Sequence, residues 1–177
     1  MLDLLVAIAI AAQPSPCSSL VRGKPDWLGC KVNPRKGVLV LSGARNWAGQ
    51  PVVSRVKIKL GSGINKVNIN KAMAAQWTIK GTTAQDRITF GSQAGAITKN
   101  HNSVIDLGND AVKDVFTFTN SAPGKPFNHM QRFVVKNFGK EDVIQLKNIG
   151  KSFGYGDVQR DGSLPGVPLS TLKVQRR

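Results

Sequence analysis

A chain of 177 residues with 41% hydrophobic side chains is long enough to bury one core with an appendage. Aromatics at 6% and eighteen glycines favour short strands joined by tight turns and argue against a helical bundle. The formal net charge of +15 and isoelectric point near 10.4 point to an acidic partner, but the charge is uneven: residues 1–85 set twelve Lys or Arg against Asp3 and Asp26, whereas residues 86–161 hold ten basic against eight acidic.

In chain order, Leu2 to Ala12 is an apolar run shorter than the ~20 residues that span a bilayer. Its length is that of a signal-peptide core, with Asp3 where a positive leader is expected. Residues 13–60 are rich in Pro and Gly and are expected to form a loosely structured cap, with Trp27, Trp47 and the strand-like Gly37–Leu41 as its firmest cues. Cys17 and Cys30 lie within it. They either pair, as suits an exported protein, or stay separate thiols.

From Val52 the rhythm is regular. Strands are expected at Val52–Leu60, Val67–Ile69, Trp77–Ile79, Ile88–Phe90, Val104–Leu107, Val115–Phe118, Phe133–Val135 and Val143–Leu146, with one helical turn over Lys71–Gln76. In Arg55-Val56-Lys57-Ile58-Lys59, alternation places all three cations on one solvated face. One pattern recurs four times, an Asp or Asn, a variable residue, then apolar, polar, apolar: Asn65 to Ile69, Asp86 to Phe90, Asp114 to Phe118 and Asp142 to Leu146. An oxygen-bearing side chain ahead of a period-two strand closes a turn and can face a cation.

This stretch resembles the hemolysin-type (RTX) calcium-binding repeats, whose nine-residue unit is G-G-x-G-x-D-x-U-x. Gly81 to Thr89 keeps the first Gly, the Asp and the apolar position, with Thr82 and Ala84 at the other two glycines. Leu60 to Asn68 keeps two glycines and the apolar position, with Asn65 for Asp. The stretch from Val104 through Asp110, Asp114–Phe118 and Phe133–Leu146 is similar to the segment that often closes such repeats. The resemblance implies an all-β chain wound as a parallel β-roll or β-helix-like coil over residues 61–150, with Asn65, Asp86, Asp114 and Asp142 stacked over one another from rung to rung and residues 151–177 as a basic tail.

It also implies Ca²⁺ as cofactor, bound by carboxylate and main-chain oxygens of successive turns. The only dense acidic cluster, Asp106, Asp110 and Asp114 with Asn109 and Asn120 nearby, is the candidate metal site, expected as Asp106, Asn109, Asp110 and Asp114. Asp86, Asn65 and Asp142 are expected to cap turns. His101 and His129 lie in loops without metal spacing, and adjacent Glu141 and Asp142 point apart on a strand, so no catalysis and no small-molecule substrate are expected. The expected role is a structural or adhesive module, extracellular or on the cell surface, whose partners are calcium, an anionic surface or polymer, or other copies of itself. The alternative is a basic structural subunit of a virion or appendage, or a non-specific nucleic-acid binder, suggested by the basic front and the tail Lys173-Val174-Gln175-Arg176-Arg177.

Overall fold

The computed structural model describes residues 16–43, 54–61, 63–70, 75–91, 102–119, 132–169 and 171–177. The apolar run at 2–12, Trp47, His101, Asn120, His129 and most of the expected turn at 71–76 lie outside these residues.

Most strands follow the alternation of apolar and polar residues, while one is a continuous apolar run over Val38–Leu41. A short helix α1 (Pro16–Leu20) leads into β1 (Val21–Arg22), β2 (Gly29–Asn33), β3 (Val38–Ser42), β4 (Ser54–Lys59), β5 (Lys66–Asn70) and β6 (Ala75–Lys80). Then come β7 (Arg87–Phe90), β8 (Asn102–Asp106), β9 (Val115–Phe118), β10 (Arg132–Phe138), β11 (Val143–Leu146), β12 (Lys151–Phe153) and β13 (Leu172–Arg176). Each of the eight expected strands has a counterpart here, and Ala75 and Gln76 are strand, not helix.

The strands form two sheets, β1-β4-β6-β8-β10-β13 and β12-β11-β9-β7-β5-β3-β2. Both are mixed. Parallel pairs fill the middle, whereas β1–β4, β2–β3 and β11–β12 pair antiparallel. The architecture is therefore a mixed two-sheet sandwich, and the parallel β-roll expected from the repeats is corrected. The reason lies in two 3-10 turns that fold the chain back on itself. Between β2 and β3, Asn33 Oδ1 accepts from Lys36 N at 3.2 Å, Pro34 starts the turn, and Gly37 ends it at φ 62°. Between β11 and β12, Gly150 ends the turn at φ 64°. Such reversals join antiparallel neighbours.

Within the expected loose cap, the described residues are built into the sheets. β2 and β3 belong to the second sheet, β1 and β4 to the first, and the Cys17–Cys30 disulfide ties α1 to β2. The tail is not a free appendage either: β13 pairs parallel with β10, and Arg176 lies 5.1 Å from the Tyr155 ring.

The core sits between the sheets as stacked rows. In the second sheet the register aligns Leu39, Val67, Ile88, Phe116 and Ile144, and then Leu41, Ile69, Phe90, Phe118 and Leu146, all buried. Facing them, Ile58, Ile79, Ile105, Val135 and Val174 form a matching row. Phe133 bridges the layers, its ring 4.8 Å from Phe90, 6.0 Å from Phe116 and 5.7 Å from Phe118, while Trp77 meets Phe90 edge-on at 6.2 Å. Each such aromatic contact adds ~1 kcal/mol beyond its buried area.

Candidate functional site

From β3 to β11 successive strands alternate between the sheets, so the residues just ahead of β5, β7, β9 and β11 come to lie beside one another. These are Asn65, Asp86, Asp114 and Asp142. The four recurrences of the sequence pattern therefore meet at one corner of the second sheet.

The three carboxylates are nearly sealed from solvent, with exposures of 0% for Asp86 and 2% each for Asp114 and Asp142. A buried carboxylate is tolerable only when its oxygens are hydrogen-bonded. Here the donors come from the neighbouring rungs. Asp86 N donates to Asp114 Oδ1 at 2.8 Å, and Asp114 N donates to Asp142 Oδ1 at 2.9 Å, each across 28 residues of sequence. Asp142 Oδ2 accepts from Gly139 N at 2.7 Å. Asp86 turns to its own loop, accepting from Thr82 N at 2.6 Å and Thr82 Oγ1 at 3.0 Å. Asn65 opens the series by donating from Nδ2 to Gln85 O at 2.7 Å. Main-chain bonds run alongside, from Arg87 N to Asn65 O, Val115 N to Asp86 O and Val143 N to Asp114 O.

Glycines make room for this corner. A Cβ on Gly81 would stand 2.5 Å from Asp86 Oδ2 and 3.1 Å from Asp106 O. At Gly108, φ is 92° and a Cβ would stand 2.6 Å from Thr82 O, so both the backbone and the space demand glycine.

Burial sets the electrostatics. Desolvation is the main reason that the Asp114 carboxyl titrates at about 7; the bond from Asp86 N opposes the shift, and the charges of Asp142, Asp86 and Asp110 reinforce it. Asp86 is likewise raised, chiefly by desolvation and against the bonds from Thr82.

The expected metal set is not gathered. Asp106, at the end of β8 in the other sheet, accepts on Oδ1 from Gly108 N at 3.1 Å and from Asn137 Nδ2 at 2.7 Å. Asn137 reaches it from a bulge in β10, at φ 58°. Asn109 is exposed. Asp110 Oδ1 accepts from Val112 N at 2.9 Å, and Asp114 belongs to the corner ladder. Of these four residues, Asp110 alone has a buried oxygen, Oδ2, without a partner among the described residues. Calcium takes six to eight oxygens, and among the described residues no three acidic, His or Cys side chains are placed to hold a metal ion. One orphan oxygen does not by itself make that shell.

Asp142 is buried and Glu141 exposed, but both lie in the turn ahead of β11 and not on a strand as expected. The four corner residues lie beside one another from rung to rung, as their recurrence led one to expect; what sequence reasoning missed is that Asp86, Asp114 and Asp142 are buried and accept from one another's main chain. The equal 28-residue spacing of the last two steps, each landing one residue ahead of a strand, was the available signal.

An open depression beside the ladder is lined by Ala111, Lys140, Glu141, Tyr155 and Arg177. Tyr155 donates its hydroxyl to Arg177 O at 3.2 Å, and a Cβ on Gly139 would collide with the Arg177 guanidinium.

No family model, curated protein or solved structure matches the chain. The resemblance to hemolysin-type repeats rests on the residues quoted above.

Proposed function

We propose that the chain is a non-enzymatic structural module of an exported or surface protein, a stacked strut that holds its faces in fixed register. The observation that carries this reading is the corner ladder. Asp86, Asp114 and Asp142 are buried, and five of their six carboxylate oxygens accept from Thr82, from Gly139 N or from a main-chain N–H of the adjacent rung. Carboxylates used in this way tie one rung to the next. The Cys17–Cys30 disulfide supports an oxidising compartment.

Hydrogen exchange on the whole chain tests the reading. The amides of Asp86, Asp114, Val115 and Val143 should exchange slowly, as one block with the core strands. Fast opening of these amides while the core stays protected would mark the corner as a moving part and overturn the role as a strut.

A further inference from the structure

The outer face of the first sheet concentrates positive charge from segments far apart in sequence. Arg55, Lys57 and Lys59 alternate outward along β4; Arg22 on β1 stands beside Lys57, and Lys80 on β6 stands beside Lys59. All five are exposed. With ~6.6 Å between alternate residues of a strand and ~4.8 Å between strands, they occupy a patch of about 13 Å by about 10 Å. Their neighbours in the register, Gln76 and Thr78, are uncharged. The first acid on this face is Asp106 beside Lys80, and its Oδ1 is already engaged by Gly108 and Asn137. Among the described residues, none of the five cations has an ion pair.

Like charges directly opposite on neighbouring strands destabilise a sheet. The pairs Arg22–Lys57 and Lys59–Lys80 have that geometry, and a counter-charge from outside would relieve both. We propose that this face binds a linear anionic glycan, a polymer bearing sulfate or carboxylate groups along its length, laid across β1, β4 and β6. Three features select a glycan among polyanions. The outward residues of β1, β4 and β6 include no aromatic on which nucleic-acid bases could stack. Trp77 of β6 is fully buried on the opposite face. The disulfide suits an oxidising compartment, the exported or surface setting in which a glycan polyanion would be met. The proposal names the partner of the module proposed above and rests on that reading only for the compartment.

The probe is heparin, a sulfated glycan, titrated against the full chain between low and moderate salt. Binding should weaken steeply with salt, with a log–log slope steeper than about −2, because several cations release counter-ions together. The triple variant Lys57→Glu, Lys59→Glu, Lys80→Glu should lose at least tenfold in affinity, while Lys147→Glu, exposed and outside the patch, should bind as the parent does. If the triple variant does not fold, Lys57→Gln with Lys59→Gln serves, expected to lose at least threefold. Unchanged binding by a folded patch variant overturns the proposal. So does tighter binding of random duplex DNA or of phosphatidylglycerol vesicles than of heparin, since either would assign the face to another partner. Hydrogen exchange without ligand is untouched by these outcomes, so the strut and the glycan face can fail separately.

Discussion

The corner of the second sheet and the outer face of the first both place charged residues at strand positions, yet they treat the charge in opposite ways. At the corner, Asp86, Asp114 and Asp142 are buried and hydrogen-bonded to main-chain and hydroxyl donors. On the face, Arg22, Arg55, Lys57, Lys59 and Lys80 are exposed and unpaired among the described residues. The difference teaches that a charge's work follows from its solvation. A desolvated carboxylate must be satisfied internally and so becomes structure, whereas a solvated cation costs little and stays available to a partner.

The largest expected effect is at the corner. Asp142→Ala removes the acceptor for both Asp114 N and Gly139 N and should cost about 3 kcal/mol, read as a lower urea midpoint. A midpoint like the parent's would erase the contrast between the regions. Next, reducing the Cys17–Cys30 bond, whose cysteines are 13 residues apart, should cost on the order of 3 kcal/mol or less, since a short loop is released. Melting in dithiothreitol measures it.

A third test uses pH. The Asp114 carboxyl titrates near 3.8 when unfolded and at about 7 when folded, so the native state holds its proton more tightly. Its contribution to stability is complete below pH 3.8 and is lost as pH rises through 7. The melting temperature should therefore fall between about pH 4 and pH 7 and level off above that. Asp114→Asn keeps an oxygen for Asp86 N and should flatten that slope; an equally steep fall in the variant would show that the titrating group lies elsewhere. On the face, Lys57→Gln alone should change stability by less than about 0.5 kcal/mol. Smallest of all, millimolar Ca²⁺ should leave the melting temperature unchanged. A rise that grows with free Ca²⁺ would reveal ligands beyond those described and return the corner to metal chemistry.

Much of the strand order was legible because alternation is a local property. The period-two runs at Val67–Ile69, Ile88–Phe90, Val115–Phe118 and Val143–Leu146 are strands in the structure. Their parallel pairing with one another was expected too; the antiparallel strands at the sheet margins were not legible. The reversals at Pro34–Lys36 and Lys147–Ile149 turn β2 and β12 antiparallel, and the repeat likeness gave no hint of them. The site was half legible. Asp114 was singled out, but as a ligand grouped with its sequence neighbours Asp106, Asn109 and Asp110. The structure groups it with Asp86 and Asp142, each 28 residues away.

By itself, the sequence determined which residues face inward, because hydrophobic burial follows a two-residue period that can be read locally. It also set the acidic or amide residue ahead of each of four strands. Only the tertiary structure decided that these residues share one dry corner and that Arg22, Lys57 and Lys80 share one wet face. Solvation and pairing depend on which distant segments lie side by side, and that is a property of the sheets, not of any single strand.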